Sequence, residues 1–393
     1  MRNPGIERRA LRERVRRSLR DSPVVALVGP RQCGKTTLAR EIAGTRRGTY
    51  FDLEDPVSLQ RLAEPKTALE SLGGLIVIDE VQRRPNLFPL LRVLADAARP
   101  GRRFLILGSA TPDLLRQGSE TLAGRIAIVD MAGFDLGEVG AAALGRLWWR
   151  GGFPRSFLAR SNAASVAWRQ DFIRTFLERD MLQLGVRIPP PALRRLWTMI
   201  AHWHGQIWNA SEIARSLGEA HVTVKRHLDA LSGALMVRQL QPWFENLGKR
   251  QVKAPKVYVR DSGLLHALLD LPSPAALDAH PKVGASWEGY VVEDLIAIAG
   301  ERNAYYWRTQ AGAELDLLLL LRGRRIGVEV KYADAPSMTR SMHVSIESLK
   351  LDRLYVVYPG TQSYRLRPGV EVLPLPLARE RLAAARGRPL PRR

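Results

Sequence analysis

The chain has 393 residues and a formal net charge of +21, from 60 lysines and arginines against 39 aspartates and glutamates. At roughly 100–200 residues per domain this length predicts two or three domains, and 46% hydrophobic residues exclude a globally disordered chain. The longest aliphatic run, residues 317–321, is too short to cross a bilayer, so we expect no membrane partner. The single cysteine, Cys33, excludes a disulfide framework and favours a cytoplasmic location.

About half of the positive charge lies at the two ends of the chain. Residues 1–20 contain eight arginines and two glutamates, and residues 378–393 contain six arginines and one glutamate. Val15 and Leu19 continue a helical spacing of apolar residues, which predicts a basic helix over residues 1–20 that packs on the next domain. The end of the chain lacks such a period, and residues 377–393 are predicted to form a disordered basic tail.

The most specific motif follows residues 24–28, an apolar run typical of a buried strand. Gly29, four further residues and Gly34-Lys35-Thr36 form the G-x4-G-K-[ST] pattern of a P-loop, with a helical stretch after it. In such a loop backbone N–H groups face phosphate oxygens, the lysine reaches the β- and γ-phosphates, and the Thr36 hydroxyl binds Mg²⁺. The motif predicts ATP binding by Gly29, Pro30, Arg31, Gln32, Cys33, Gly34, Lys35, Thr36 and Thr37.

A second strand of this type, residues 74–78, ends in two adjacent acids, Asp79 and Glu80. Beside a complete P-loop, this pattern predicts that Asp79 holds Mg²⁺ through water and that Glu80 polarises the attacking water. The two motifs together predict a Mg²⁺-dependent ATPase, with Lys35 and Glu80 as catalytic residues.

Two further polar residues are candidates for the same reaction. A third strand, residues 103–108, is followed by Ser109, which is either a sensor hydroxyl for the γ-phosphate or an ordinary serine at a turn. Arg125 follows a small residue and precedes another strand-like run, as an arginine that stabilises the γ-phosphate would. Arginines are so frequent in this chain that Arg125 is also consistent with an ordinary surface position. If Arg125 acts on the nucleotide of another copy of the chain, the protein must be a homo-oligomer.

Five segments together resemble the bacterial predicted AAA+ superfamily ATPases, namely GPRQCGKTTL, FDLEDP, LIVIDEVQ, LGSA and LAGR. That family joins a P-loop ATPase to a C-terminal domain of unknown function, and the resemblance extends over residues 15–376. It implies an α/β fold whose ATPase core, residues 21–145, is of the additional-strand type, with strands in the order five, one, four, three, two. It also implies a γ-phosphate role for Arg125, because the family carries arginine at this position.

The next segment, residues 146–193, is predicted to be a helical connector. Residues 150–154, RGGFP, indicate a turn, and residues 168–184 predict an amphipathic helix that contains Glu178-Arg179-Asp180. Both the GGFP turn and the F-x-x-R-D segment resemble the C-terminal domain of that family. We expect Arg179 and Asp180 to form a structural ion pair.

Residues 194–262 predict a winged helix-turn-helix module, with three helices followed by two strands. The expected DNA contacts lie on the third helix and in the wing, at Thr223, Lys225, Arg226, Lys249, Arg250 and Lys253. Residues 244–260 carry a net charge of +4, to which Lys256 and Arg260 contribute. The alternative is a winged helix that serves packing or protein contact. His202, His204, His221 and His227 lack a matching ligand set and are predicted to be surface or core histidines.

The last module, residues 263–376, resembles restriction-endonuclease-like PD-(D/E)xK domains. Asp316 lies on one strand, Glu329-x-Lys331 on the next, and Glu288 on the preceding helix. Asp316 and Glu329 could bind one Mg²⁺ while Lys331 activates water. Residues 284–372 contain 11 basic and 11 acidic residues, whereas a nuclease that grips a duplex by itself is usually basic. The alternative is therefore a buried carboxylate–lysine network in a scaffold that does not cut.

These patterns predict a Mg²⁺-dependent ATPase that couples hydrolysis to a C-terminal arm in contact with nucleic acid, DNA in preference to RNA. One alternative is an ATP-regulated DNA nuclease. The other is a non-catalytic DNA-binding protein, or a toxin–antitoxin or defence-type switch, in which ATP acts as a conformational ligand.

Overall fold

The computed structural model describes residues 6–44, 48–97, 101–109, 120–183, 186–244 and 254–387. Its N-terminal part alternates strands and helices, as a parallel sheet requires. In chain order these are α1 (Arg9–Asp21), β1 (Val24–Gly29), α2 (Lys35–Gly44), β2 (Thr49–Asp52), α3 (Pro56–Arg61), α4 (Pro65–Glu70), β3 (Leu75–Asp79), α5 (Leu87–Asp96), β4 (Arg103–Ser109) and β5 (Ile126–Asp130).

These strands form one parallel sheet in the order β2-β3-β4-β1-β5, which is the order that the family resemblance implies. Both β1 and β3 are buried along their whole length, because helices cover both faces of the sheet. Alternate residues of β1 enter two different cores: Val24 faces the side of α5, and Val25 faces the side of α2. The carboxyl ends of the strands share one edge, so the residues that follow β1 and β3 come together there.

The middle part of the chain is mainly helical. Its elements are α6 (Leu136–Val139), α7 (Leu144–Arg150), α8 (Pro154–Phe157), α9 (Asn162–Thr175), a π-helical turn (Phe176–Asp180), α10 (Met181–Gln183), α11 (Pro190–His202), β6 (Gln206–Ile207), α12 (Ala210–Leu217), α13 (His221–Gly233), β7 (Val237–Leu240) and β8 (Lys256–Val259). The three short strands form an antiparallel sheet in the order β6-β8-β7. The apolar core of this part is continuous with the α2 side of the parallel sheet.

A second, mixed sheet organises the C-terminal part. Its elements are α14 (Ser262–Leu268), α15 (Pro274–Asp278), α16 (Val283–Ala299), β9 (Ala304–Arg308), β10 (Glu314–Leu321), β11 (Arg324–Val330), α17 (Arg340–Leu349), β12 (Arg353–Tyr358), β13 (Tyr364–Arg367), β14 (Val370–Pro374) and α18 (Leu375–Arg386). The strand order is β13-β14-β12-β11-β10-β9. The chain after β7 joins this sheet, because Pro242 forms a parallel bridge with Tyr306 of the edge strand β9.

The two ends of the chain are both helical where they are described. The predicted N-terminal helix is present as α1, with Val15 and Leu19 buried. The prediction of a disordered tail is wrong for residues 377–386, which belong to α18. Its buried Leu375, Ala378 and Leu382 form an apolar stripe between the arginines and pack the helix on the protein. No helix among the described residues combines the length and apolarity needed to span a membrane.

Candidate functional site

The P-loop connects the end of β1 to the start of α2. Two of its residues have positive φ angles, Gln32 at 62° and Gly34 at 100°, which fold the loop tightly before the helix begins. A Cβ atom on Gly29 would lie 2.1 Å from the carbonyl oxygen of Met131, so only glycine fits at this position. The loop therefore presents its backbone at the amino end of α2, where N–H groups without intrahelical partners attract anions.

Lys35 lies at the first position of α2 and is only 5% exposed. Its Nζ donates hydrogen bonds to the carbonyl oxygens of Gly29 at 2.9 Å and Pro30 at 2.8 Å. Both acceptors are uncharged, so these bonds orient the ammonium group across the loop without neutralising it. A phosphate in the loop would supply the missing negative charge.

Asp79, at the end of β3, forms hydrogen bonds with side chains of α2 and β2 beside this loop. Its Oδ2 accepts a hydrogen bond from the hydroxyl of Thr36 at 2.7 Å and another from the hydroxyl of Tyr50 at 2.5 Å. Burial and the nearby Asp79 carboxylate raise the pKa of Tyr50, so this hydroxyl stays a donor. Carboxylate and hydroxyl oxygens are ligands suited to Mg²⁺. Tyr50 was not predicted, because an aromatic residue in a short strand carries no sign of such a contact.

Glu80 follows in a left-handed conformation with φ of 55°, which is unusual for a residue with a side chain. Burial raises the pKa of its carboxyl group, and the charges of Lys35 and Arg31 partly offset this. The side-chain amide of Gln82 donates a hydrogen bond to Glu80. A carboxylate with a raised pKa is a stronger base, as activation of water requires. Gln82 was also not predicted, although it lies two positions beyond Glu80 in the same motif.

The structure separates the two other candidates for the ATPase reaction. Ser109 ends β4 and pairs in register with Gly29, so its backbone is at the edge of the P-loop. Arg125 is at the opposite edge, where its carbonyl oxygen accepts a hydrogen bond from the amide of Val24 at the start of β1. The length of β1, roughly 17 Å, lies between this position and the P-loop. Within one chain Arg125 does not approach Lys35, and its guanidinium pairs with Asp96, 2.9 Å from Nη2 to Oδ2.

Asp180 does not pair with the neighbouring Arg179, contrary to the prediction. Arg179 is exposed, while Asp180 is buried and forms a salt bridge with Arg31 of the P-loop. The π-helical turn that ends at Asp180 turns this side chain towards the ATPase module. Sequence spacing favours neighbours along a helix and carries no information about a partner in another module.

The predicted DNA contacts of the third helix lie on α13. Lys225 and Arg226 are exposed and Thr223 is half-buried. The other three predicted contacts, Lys249, Arg250 and Lys253, lie outside the described residues.

The four histidines, which were predicted to be surface or core residues, divide evenly between the two environments. His202 and His221 are exposed, while His204 and His227 are buried. Burial lowers the pKa of His204 to about 3, and its Nδ1 accepts a hydrogen bond from the amide of Val259. His204 is therefore a neutral core residue.

The nuclease-like residues come together in the C-terminal module. Pairing of Leu317 with Val328 places Asp316 beside Glu329 on adjacent strands. The Oδ2 atom of Asp316 accepts a hydrogen bond from the amide of Val330 at 2.9 Å, and Lys331 Nζ bonds Glu329 Oε1 at 2.7 Å.

A residue predicted to belong to the basic wing occupies the centre of this cluster. Lys256 of β8 is 2% exposed, and its Nζ lies 3.1 Å from Oε1 of Glu288 and 3.4 Å from Oδ1 of Asp316. It also forms a salt bridge with Glu314. An ammonium group thus lies among the carboxylates that were predicted to bind Mg²⁺. Among the described residues, no three histidine, cysteine or acidic side chains are arranged to hold a metal ion.

Burial changes the protonation of this cluster. It raises the pKa of Glu288 to about 7, although Lys256 opposes the change. Burial and the adjacent Asp316 raise the pKa of Glu329 to about 8. Burial lowers the pKa of Lys256, but the surrounding carboxylates outweigh this and raise it well above its ordinary value. The lysine therefore stays charged, Glu329 is largely protonated at neutral pH, and Glu288 titrates near neutral pH.

Family models match three consecutive parts of the chain. A model described as an AAA domain matches residues 21–140. Two models described as domains of unknown function follow, DUF8612 over residues 141–275 and DUF4143 over residues 283–378. The AAA domain contains the P-loop and the acids at the end of β3.

The chain is similar along most of its length to two mycobacterial proteins. It is 54% identical over 369 residues, 94% of this chain and 84% of theirs, to the uncharacterized proteins Rv2008c of Mycobacterium tuberculosis and Mb2031c of Mycobacterium bovis. Among solved structures, the Walker-type ATPase PABY2304 of Pyrococcus abyssi matches 68% of this chain and 97% of its own, with 16% identity and a TM-score of 0.49. The RuvB Holliday junction branch migration motor of Thermotoga maritima matches 60% of this chain and 90% of its own, with 19% identity and a TM-score of 0.30. The chain belongs, with its mycobacterial relatives, to the AAA-type P-loop ATPases that carry a C-terminal domain of unknown function.

Proposed function

We propose that the protein hydrolyses ATP with Mg²⁺ and uses the reaction to move a C-terminal arm that contacts nucleic acid. The observation that carries the proposal is the arrangement around Asp79. Its carboxylate accepts one hydrogen bond from the hydroxyl of Thr36, the residue after Lys35, and another from the backbone amide of Glu80. This arrangement suits both phosphate binding and activation of water.

Each residue of this group has a distinct proposed role. Lys35 and the backbone of the P-loop bind the phosphates, while Thr36 and Asp79 would hold Mg²⁺, which would neutralise phosphate charge. Glu80 accepts a proton from the attacking water. Gln82 orients Glu80 through its amide nitrogen, and its amide oxygen is buried without a hydrogen-bond partner among the described residues, so it is available to the same water. For Ser109, the last residue of β4, the proposed role is that of the γ-phosphate sensor, and it rests on its place in the sequence.

The arm consists of the proposed winged helix, residues 194–262, and the nuclease-like module, residues 263–376. Three helices, α11 to α13, packed with the β6-β8-β7 sheet have the element order of a winged helix. Lys225 and Arg226 project from α13 into solvent, where phosphates would meet them. DNA is the proposed partner, because an exposed basic helix of this kind fits the major groove.

Lys256 favours the interpretation of the nuclease-like module as a scaffold that does not cut. Its ammonium group neutralises part of the charge of Glu288, Glu314 and Asp316, and a metal ion would have to displace it. The same lysine attaches β8 to the C-terminal sheet. We therefore assign to Glu288 and Asp316 a role in joining the two parts of the arm, and to the Glu329–Lys331 pair a structural role within the C-terminal module.

The test is the rate of ATP hydrolysis with duplex DNA, single-stranded DNA and RNA, each compared with protein alone. We expect Mg²⁺-dependent turnover that duplex DNA stimulates, and its loss in Lys35→Ala. The matched control is Lys66→Ala, an exposed lysine of α4 in the same module. Full turnover by Lys35→Ala would contradict the ATPase assignment, and equal rates with and without every nucleic acid would contradict the proposed partner.

A further inference from the structure

The middle part of the chain contacts the P-loop at two points. Pro154, from the GGFP turn, lies against Gly34, since a Cβ added there would be 3.9 Å from its Cγ. Asp180, from the π-helical turn, forms a salt bridge with Arg31. Both contacts come from segments to which the proposed ATPase mechanism gives no role, and both meet the loop that binds phosphate.

The Arg31–Asp180 pair is largely shielded from solvent. The side chains are 16% and 9% exposed. Burial raises the pKa of Asp180, and the charge of Arg31 counteracts this by favouring the carboxylate. A buried pair of this kind couples its partners strongly, because neither charge can turn to water when the other is removed.

A bound nucleotide would introduce a second anion beside the same guanidinium. Arg31 lies within the loop between Gly29 and Gly34, and its charge acts on the catalytic Glu80. Asp180 accepts one hydrogen bond, from Nη1 of Arg31. A γ-phosphate carries more negative charge than a carboxylate and can accept a forked pair of hydrogen bonds from a guanidinium group. Asp180 and the γ-phosphate therefore compete for Arg31, and ADP, which lacks the γ-phosphate, does not enter this competition.

The position of Asp180 connects this competition to the proposed arm. Asp180 ends the π-helical turn, a distortion that is frequent at functional sites. Phe176 at the start of the turn contacts Trp197 of α11, with ring centroids 5.4 Å apart. Trp197 is fully buried, and α11 packs against α13, which carries the proposed DNA contacts. A shift of the turn is therefore transmitted to α13 through packed side chains.

We propose that Asp180 is a positioning residue of the nucleotide site, which holds Arg31 while the site is free of ATP and yields it to the γ-phosphate. Release of Asp180 weakens the contact between the π-helical turn and the P-loop. ATP binding is thereby coupled to the position of the arm. This inference rests on the proposed ATP site, and it specifies how that site is regulated.

The first test compares the dissociation constants of ATPγS and ADP for the full-length protein, measured by calorimetry. In Asp180→Asn the competing charge is gone, so we expect ATPγS to bind about fivefold more tightly or better, the lower end of usual allosteric couplings. Binding of ADP should change less than twofold. Asp171→Asn is the matched control, because Asp171 forms an exposed pair with Arg174 on the preceding helix α9.

The second test is a double-mutant cycle with Arg31→Ala. This variant should bind ATPγS more weakly than the wild type, and Arg31→Ala/Asp180→Asn should bind no more tightly than Arg31→Ala. A further readout needs no variant: amide exchange over residues 176–183 should increase in the wild type with ATPγS but not with ADP.

The outcomes separate this inference from the proposed function. No binding of ATP by the wild type would refute the ATP site itself. Binding with unchanged or weaker ATPγS affinity in Asp180→Asn would overturn only the role of Asp180. Equal exchange of residues 176–183 with ATPγS and ADP would also overturn it, whether or not the variants fold.

Discussion

At the scale of single residues, Glu80 owes its proposed role to its surroundings. It is placed by a left-handed backbone, held by Gln82 and partly desolvated, and the desolvation raises its pKa above the ordinary value of 4.5. Neither the conformation nor the burial can be read from the pair Asp79-Glu80. The chemistry that distinguishes the second acid from the first thus comes from the fold around it.

We expect Glu80→Gln to bind ATP with near wild-type affinity and to hydrolyse it about 10²- to 10⁴-fold more slowly, the usual contribution of a general base. In the wild type, turnover should fall as the pH falls through the raised pKa of Glu80, because the protonated form cannot accept a proton. Phosphate release and nucleotide titration measure the two effects. Glu54→Gln, which alters an exposed acid, is the control, and undiminished turnover by Glu80→Gln would remove Glu80 from the mechanism.

Glu329 gives a prediction about stability. Its pKa is raised from 4.5 to about 8 in the folded chain, so between these values the folded state holds a proton that the unfolded state has released. Stability should therefore decrease as the pH rises through this window. We expect Glu329→Gln to have a flatter dependence of Tm on pH and a higher Tm than the wild type at about pH 9. Glu347→Gln on the exposed face of α17 is the control, and coincident profiles for Glu329→Gln and the wild type would contradict the prediction.

At the scale of elements, α13 combines a buried and an exposed face. Val224, Leu228 and Leu231 are buried in the core, while Lys225 and Arg226 face solvent between them. Such a helix is anchored by one side and offers charges on the other. The proposed wing contributes less charge than its sequence implies, because Lys256 and Arg260 are engaged in salt bridges within the protein.

Substitution of Lys225 and Arg226 by alanine should weaken DNA binding. The slope of log K against log salt should become shallower by about 0.9 for each phosphate that the variant no longer neutralises. Stability should be nearly unchanged, because both side chains are exposed. Binding titrations at several salt concentrations measure the slope, with Lys66→Ala as control. If the double variant keeps the wild-type affinity and slope, α13 is not the DNA-contacting element.

At the scale of the whole molecule, the position of Arg125 raises the question of assembly. Its place at the start of β5, across the sheet from the P-loop, excludes contact with the nucleotide of its own chain. Pairing with Asp96 keeps it at the surface, with the guanidinium partly exposed. If Arg125 stabilises a γ-phosphate, it must be that of a second copy of the chain.

A mixing experiment tests this role. Arg125→Ala should lose about 10³-fold in turnover if the arginine acts in trans, and Lys35→Ala should be inactive for lack of a nucleotide site. Mixed together, the two should regain activity, because the Lys35→Ala chain supplies Arg125 to the intact site of its neighbour. A mixture of Arg125→Ala with a Lys35→Ala/Arg125→Ala chain is the control. Wild-type turnover by Arg125→Ala alone would exclude the role.

The parts of the molecule are also joined more closely than the predicted boundaries imply. Asp180 joins the middle part to the P-loop, Pro242 pairs with β9, and Lys256 inserts into the carboxylate cluster of the C-terminal sheet. These contacts are the route along which the proposed coupling between the nucleotide site and the arm would pass. The arm and the ATPase module form one connected structure.

The sequence by itself determined the P-loop, the acids after β3, the N-terminal helix and, through the family resemblance, the order of the parallel strands. These features are local or periodic, so they can be read from spacing: a loop of fixed length, a strand with apolar residues, a helix with an apolar stripe. The matching AAA domain confirms the class of protein, and the roles of individual residues stay predictions.

Only the tertiary structure decided which charges meet. Arg31 and Asp180 are 149 positions apart, and Lys256 is 60 positions from Asp316. Arg125 is also remote from the P-loop in sequence, so the spacing of residues could not predict that the two are separated in space. An ion pair depends on which surfaces pack together, and a pKa depends on what then surrounds the group. Neither is encoded in the spacing of residues along one segment, so the contacts on which the proposed coupling rests could emerge only from the folded chain.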